Sequence, residues 1–428
     1  MARVDEHQRT TPRRGTRMKP HRTIRLLLLT LALSLVSMAR AGEGIPDAYF
    51  GMHIHNADAG TRWPNISFGA WRLWDANVTW RDLQPERERW NFTRLDLDVA
   101  MATLTHTELL LPLALTPQWA SSRPTEQSAY GPGHAAEPLQ IEDWQRYVDT
   151  VARRYAGRIA AFEIWNEPSD AGFFSGDIDT LIRLNCSAYE IIKSVSPTAI
   201  VVSPSASYQL KGIDWLSSYI ARGGKGCFDV IGFHYYTLAH EAPEAIIPLV
   251  QATRSMLASH GLGSMPIWNT ESGWYILNAQ KPLTVPWHAL DQRTASAYVA
   301  RALILGWASG LRRFYWYAWD DGNLGLFDTQ AKTSKPAAAA YTKAAAWMRG
   351  ATDIRCGTLV PTGMLCEIRR DTGSHWALWS TAANFTVPVR ATWLGGSLET
   401  LSGTRSDIKA GSRIELGPEP VLITPRGT

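Results

Sequence analysis

Several signatures that would direct the reading elsewhere are missing from this chain. There is no glycine-rich loop built to cradle phosphate and no serine or cysteine nucleophile motif, so nucleotide chemistry and the serine and cysteine hydrolases drop out first. Metal-ligand spacing is absent too. His53 and His55, at i and i+2, could share one ligand role with His234 elsewhere, but no carboxylate spacing supports them and His240-Glu241 is an isolated pair. We therefore expect no metal and no other cofactor. A basic surface is also lacking. The formal charge is +4, yet residues 1–41 hold nine Lys or Arg against Asp5 and Glu6, leaving 34 basic against 37 acidic residues beyond them. That balance gives no electrostatic footprint for nucleic acid.

Long apolar runs are equally scarce. Residues 26–36 form one, preceded by Arg22 and Arg25 and followed by the small residues of Ala39-Arg40-Ala41. The run falls short of the about 20 residues that span a bilayer, and its flanks fit a cleaved export signal. Residues 1–41 are thus expected to be a leader, and the mature chain an exported monomer, periplasmic or extracellular, with no stable membrane anchor. Cysteines number only four. In an oxidising compartment Cys356 and Cys366 could close a hairpin, leaving Cys186 and Cys227 as the other pair or as free buried thiols.

What is present centres on residues 161–170, AFEIWNEPSD. An apolar strand ends before Pro168, which cannot supply the amide that a central strand needs. Glu167 therefore sits at a strand tip. Its neighbourhood is apolar except for Glu163, and desolvation there is expected to raise the Glu167 carboxyl and favour a proton donor. Residues 265–274, MPIWNTESGW, repeat the build and place Glu271 at a second tip. Two carboxylates at one end of a parallel sheet are the minimum equipment for cleaving a glycosidic bond.

Eight strand candidates alternate with helical stretches: 49–54, 69–73, 108–113, 160–165, 199–203, 229–233, 265–268 and 313–317. Such a series predicts an α/β fold, a (β/α)8 TIM barrel over residues 45–350 with its site at the strands' C-terminal ends. Helices are expected at 144–155, 179–195, 294–307 and 337–348, from apolar spacing and from the alanine-rich composition of the last. Residues 320–335 read as a polar loop. From about residue 351 the texture turns to short alternating runs, which predicts a small C-terminal antiparallel β-sandwich-like domain over 351–428. Other strand tips bring His53, His55, Arg72, Trp119, His234, Tyr236, Trp316 and Trp319 toward the same rim, where indole faces suit sugar rings and the histidines could bond sugar hydroxyls or orient a carboxylate.

The residues Trp165-Asn166-Glu167-Pro168 at the fourth strand and Glu271 at the seventh resemble the retaining (β/α)8 glycoside hydrolases. The second unit, with Arg72, Trp74, Trp80, Leu83, Pro85 and Trp90-Asn91-Phe92, together with Thr116 to Ser121, most closely resembles glycoside hydrolase family 39. The likeness covers about residues 49–350. It implies Glu167 as acid/base and Glu271 as nucleophile in a double displacement, Asn166 on the sugar 2-hydroxyl, Arg72 holding Glu271 ionised, and Tyr236 donating to the same carboxylate. His234, Trp316 and Trp119 would wall the subsites. The expected substrate is a polysaccharide, cut internally as in the family's secreted exopolysaccharide endoglycosidases. An exo-acting β-xylosidase is the alternative, and a polysaccharide-binding protein on an inactive barrel is the reading from another class.

Overall fold

The computed structural model describes residues 44–57, 61–238, 241–278, 289–360 and 362–427. The expected leader lies outside the described residues, as do His240 and residues 279–288 of the segment joining the last two barrel strands. The described residues all fall within one compact unit.

Nine parallel strands make the central sheet: β1 (Phe50–His53), β2 (Ala70–Arg72), β3 (Glu108–Leu113), β4 (Ala161–Ile164), β5 (Ile200–Val202), β6 (Ala206–Ser207), β7 (Ile231–His234), β8 (Ile267–Ser272) and β9 (Leu311–Trp316). Their order is β5-β4-β3-β2-β1-β9-β8-β7-β6. Bridges from Val202 to Val230 and from Asn166 to Ser205 close the ring. The fifth strand is thus split: β5 pairs with β4, and its continuation β6 pairs with β7. Strands buried on both faces explain why they read as nearly unbroken apolar runs.

The outer helices are α1 (Trp80–Leu83), α2 (Thr93–Leu104), α3 (Ile141–Arg154), α4 (Ile178–Val195), α5 (Gly212–Tyr219), α6 (Ile246–Ser259), α7 (Gln292–Ala308) and α8 (Pro336–Met348). In α3 the buried set Trp144, Tyr147, Val148, Val151 and Ala152 follows the spacing of one helix face. Asp177 caps α4 by accepting from the Thr180 amide at 2.7 Å, and Pro336 opens α8 at a position where no amide is needed. One expectation is corrected. Among the described residues the connection from β1 to β2 carries no helix, so the strand-helix alternation begins only after β2.

Within 320–335, expected as a polar loop, Phe327–Asp328 (β10) and Thr333–Ser334 (β11) pair as a short hairpin. Beyond α8 come β12 (Asp353–Val360), β13 (Gly363–Arg370), β14 (Gly373–Ser380), β15 (Phe385–Pro388), β16 (Ser397–Thr400), β17 (Arg405–Asp407), β18 (Arg413–Leu416) and β19 (Val421–Thr424). They form an antiparallel six-stranded sheet and a two-stranded one, β15 with β18. Leu378 and Ile423 from the first pack with Val387, Ile414 and Leu416 from the second, which is the sandwich-like arrangement. Both cysteine pairs are disulfides, Cys186–Cys227 and Cys356–Cys366.

Candidate active site

The fourth strand leaves the sheet through a tightly held corner. Trp165 and Glu167 both adopt positive φ, 69° and 44°, a conformation costly for non-glycine residues and paid only where surroundings over-determine it. Here they do. The Trp165 amide donates to the Leu113 carbonyl at 3.0 Å and the Glu167 amide to the Ser205 carbonyl at 2.8 Å, so neighbouring strands clamp the turn. A second irregularity sets Glu271. Phe233 is opposite Asn269 but His234 is opposite Glu271, leaving Thr270 as an extra residue in β8. Such a bulge re-aims the side chains that follow it. The carbonyl of the bulged Thr270 accepts from or faces the His53 ring Nε2 at 3.0 Å, and its hydroxyl donates to Ser205 at 2.9 Å.

Arg72, fully buried at the end of β2, joins the two halves. Its Nη1 donates to Glu271 Oε2 at 2.8 Å, and its Nη2 donates to Asn166 Oδ1 at 2.7 Å. Its Nε and Nη2 also grip both oxygens of buried Glu163, at 2.6 and 2.8 Å. The other oxygen of Glu271 accepts from the Tyr236 hydroxyl at 2.8 Å. Glu167 Oε1 lies 2.8 Å from His234 Nδ1. One oxygen from each glutamate and a ring nitrogen of His234 all fall within 4.8 Å of one another.

Burial raises the Glu271 carboxyl; His234 and Arg72 oppose that, and the charge of Glu167 adds to it, for a net upward direction. Burial also pushes Glu167 up, but the His234 hydrogen bond and charge outweigh it, and the net direction is down. One expectation is corrected: the dry wall does push Glu167 up, but the His234 contact outweighs it. The Arg72 charge lowers Glu271 as the resemblance implies, and burial outweighs that effect. Burial works against the Arg72 charge as well, yet Glu163 and then Glu271 raise its pKa. Burial, followed by the charge of Arg72, drives His53 well down, so it stays neutral. The three donors within 4.8 Å could geometrically hold a cation, but the Arg72 guanidinium bonded to Glu271 already sets a positive charge beside them.

A family profile described as glycosyl hydrolases family 39 matches residues 64–318. The chain belongs to that family. The family 39 glycoside hydrolase of Bacteroides cellulosilyticus WH2 superposes with a TM-score of 0.68 at 16% identity, covering 89% of this chain and 82% of that one. A family 39 β-xylosidase from Caulobacter crescentus gives 0.62 at 15% identity, over 90% and 97%. The family 39 enzyme of Xanthomonas axonopodis pv. citri gives 0.61 at 15%, over 90% and 95%. At such identities these likenesses speak for the fold. No curated protein matches the chain by sequence.

In this family 39 hydrolase, then, Glu167, Glu271, Asn166, Arg72, His234 and Tyr236 come together as the sequence led us to expect. The tryptophans do not. Trp316 and Trp319 are 0% and 1% exposed; Trp274 packs on the first at 5.8 Å and Phe327 stacks on the second at 5.4 Å. Neither can offer a face to a sugar. Trp119 is half-buried, with the Arg87 guanidinium 4.7 Å over its ring. His55 lies past the end of β1; its amide donates to Asp320 at 2.8 Å and its ring packs on Tyr317 at 5.0 Å.

Reading the sequence missed Glu163 as a site residue, along with Tyr130 and Tyr317, which meet Asp75 at the tip of the second strand. Both tyrosine hydroxyls donate to Asp75 at 2.7 Å. A small cavity of about 20 Å³, lined in part by Trp74, Asp75, Leu115 and Tyr130, adjoins them. The one signal for Glu163 was a lone charge in an apolar strand. A cavity of about 400 Å³ also lies where Arg293 meets Asn384, Glu415 and Glu419 of the C-terminal region, and none of the site residues lines it.

Proposed function

We propose that this family 39 hydrolase is an exported, retaining endoglycosidase that cleaves β-linked exopolysaccharide. The observation that carries the mechanism is the approach of Glu167 and Glu271 oxygens to within 4.8 Å, which suits the about 5 to 5.5 Å carboxyl spacing of double displacement and is too close for the inverting arrangement. Glu271 is the nucleophile. Both its oxygens are already held, by Arg72 and Tyr236, so its attack on the anomeric carbon needs no reorganisation. Glu167, held by one oxygen to His234, protonates the leaving oxygen. Asn166 offers its amide to the sugar 2-hydroxyl.

The two carboxylates repel one another's charge, and this coupling supplies the proton cycle. While Glu271 is anionic it favours a proton on Glu167; once Glu271 is esterified to the sugar that charge is gone and Glu167 falls to a base. Glu167 then takes a proton from water, the water oxygen attacks the anomeric carbon, and the Glu271–sugar bond breaks with Glu271 leaving as carboxylate.

Export is supported by the leader and by two disulfides. A polymer groove is supported by the half-buried aromatics Tyr130, Tyr236 and Tyr317 beside the glutamates. The exo-acting reading stays open because the Caulobacter neighbour is a β-xylosidase whose length this chain nearly spans. The decisive experiment incubates the mature chain with soluble β-glycans and exopolysaccharide preparations, beside Glu167→Gln and Glu271→Gln. A fall in polymer size before monosaccharide appears, absent from both variants, is the expected result. Monosaccharide released from the start with polymer size unchanged would replace endo by exo action. Polymer retained but uncut by all three would leave a binding protein.

A further inference from the structure

Glu163 has no step in the displacement, yet it makes the shortest contact of the site and is fully buried, as is Arg72. Its two oxygens meet the guanidinium fork side-on, the bidentate geometry that fixes an arginine in orientation as well as position. With that edge occupied, Nη1 can point only at Glu271, and Nη2 is left to hold the Asn166 oxygen, which turns the amide nitrogen of Asn166 away from Arg72.

We propose that Glu163 is a positioning residue for the hydrolysis, acting through Arg72: it locks the guanidinium and takes up much of its charge, so that Glu271 receives a fixed donor without a full counter-charge. The proposal rests on the reading of Glu271 as nucleophile. A carboxylate facing an unshared arginine is strongly ionised but weakly basic, and a weak base attacks an anomeric carbon slowly. Sharing the arginine keeps the grip and restores the basicity.

The surroundings of Glu271 leave Arg72 as the group to tune. From β7 and the turn after it come His234 and Tyr236; from beyond β4 comes Glu167. Tyr130, after β3, and Tyr317, after β9, also feel the Glu271 charge. Among these, Arg72 alone is a permanent cation, and Glu163 is the carboxylate that grips it on two oxygens.

The test uses the full mature chain and the aryl 2-deoxy-2-fluoro-β-xyloside and β-glucoside, which trap the covalent intermediate. Labelling is read by intact mass across a pH series, with turnover of the parent aryl glycosides alongside. In Glu163→Gln the maximal labelling rate falls and the acid limb moves down by roughly one pH unit, since Glu271 then faces the whole arginine charge. Glu163→Asp, which keeps the charge but shortens the reach, also labels slowly, with its acid limb at the wild-type position.

A limb that stays put in Glu163→Gln, or moves as far in Glu163→Asp, would overturn the proposal, because a purely structural role costs rate without moving the limb. If Glu163→Gln does not fold, Arg72→Met with Glu163→Met removes the pair as a unit and leaves no lone buried charge. There the limb must move up for lack of a donor, and an unmoved limb is again fatal. Wild type that turns over the parent glycoside without ever gaining the label sinks the retaining reading and this proposal with it. Labelled wild type with a limb indifferent to Glu163→Gln sinks the proposal alone.

Discussion

Tyr236 and Lys335 show how single side chains carry measurable electrostatics. The Tyr236 hydroxyl donates to Glu271 at 2.8 Å, a bond to a charged group and so worth about 1.5 to 3 kcal/mol. Tyr236→Phe should lower kcat/KM by about 10- to 100-fold and move the acid limb up, because a donor to the ionised form is lost. A change under about twofold with an unmoved limb would remove Tyr236 from the mechanism. Lys335 is buried, and burial lowers its pKa to about 8. Between pH about 8 and 10 the unfolded chain keeps this proton while the folded one has lost it, so its contribution to stability rises with pH through that window. Below it both states are protonated and the penalty is constant. Urea melts across that range should therefore show a rise of on the order of 1 to 3 kcal/mol in wild type relative to Lys335→Met. Parallel curves would refute it.

Helix starts and strand irregularities set where these side chains stand. Asp291 caps α7 by accepting from the amides of Arg293 and Thr294, both at 2.9 Å. The Thr294 backbone bond heads the causes that hold the Asp291 carboxyl below its ordinary value. Asp291→Ala should cost about 1 kcal/mol at neutral pH. The cost is present above the unfolded pKa of about 4 and disappears as pH falls through the folded value, where wild type loses its ionised cap too. A wild-type advantage that is equal at neutral and strongly acid pH would contradict this account. In the sequence the helix at 294–307 was visible from its apolar spacing. The bulge at Thr270 was not, since a strand read at period two gives no sign of an inserted residue.

Two disulfides and a shared core tie the molecule together. Cys186–Cys227 spans 41 residues and links α4 to the approach of β7, whereas Cys356–Cys366 spans 10 within one hairpin. Loop-closure entropy puts the first at about 4 kcal/mol and the second at about 3. Replacing the first pair by serines should thus lower the melting temperature more than replacing the second; the reverse order would mean that native contacts, not chain entropy, dominate. The C-terminal strands are not a loose appendage. Trp347 and Lys343 of α8 donate to Glu399 at 2.9 and 3.1 Å, Trp379 donates to Glu244 at 2.8 Å, and Cys366, Ile368 and Trp379 belong to the same core as the barrel. Ending the chain after Gly350 would expose Trp347 and Met348. Such a truncation should fail to give soluble folded protein, and a truncation that melts cooperatively would show the barrel to be self-sufficient.

The strand periodicity, the proline stop after Glu167 and the repeated tip at Glu271 determined the barrel, its end and its two carboxylates from sequence, because those features follow from local backbone chemistry. Burial and charge sharing did not. Trp316 and Trp319 look like platforms on strand tips and turn out to be walled in by Trp274 and Phe327, which lie on other segments. Glu163 looks like an interruption of an apolar run and becomes the partner of Arg72, 91 residues away in sequence. Which side of a strand tip meets solvent, and which of two carboxylates an arginine serves, depend on distances between segments far apart in the chain, and only the closed barrel sets those.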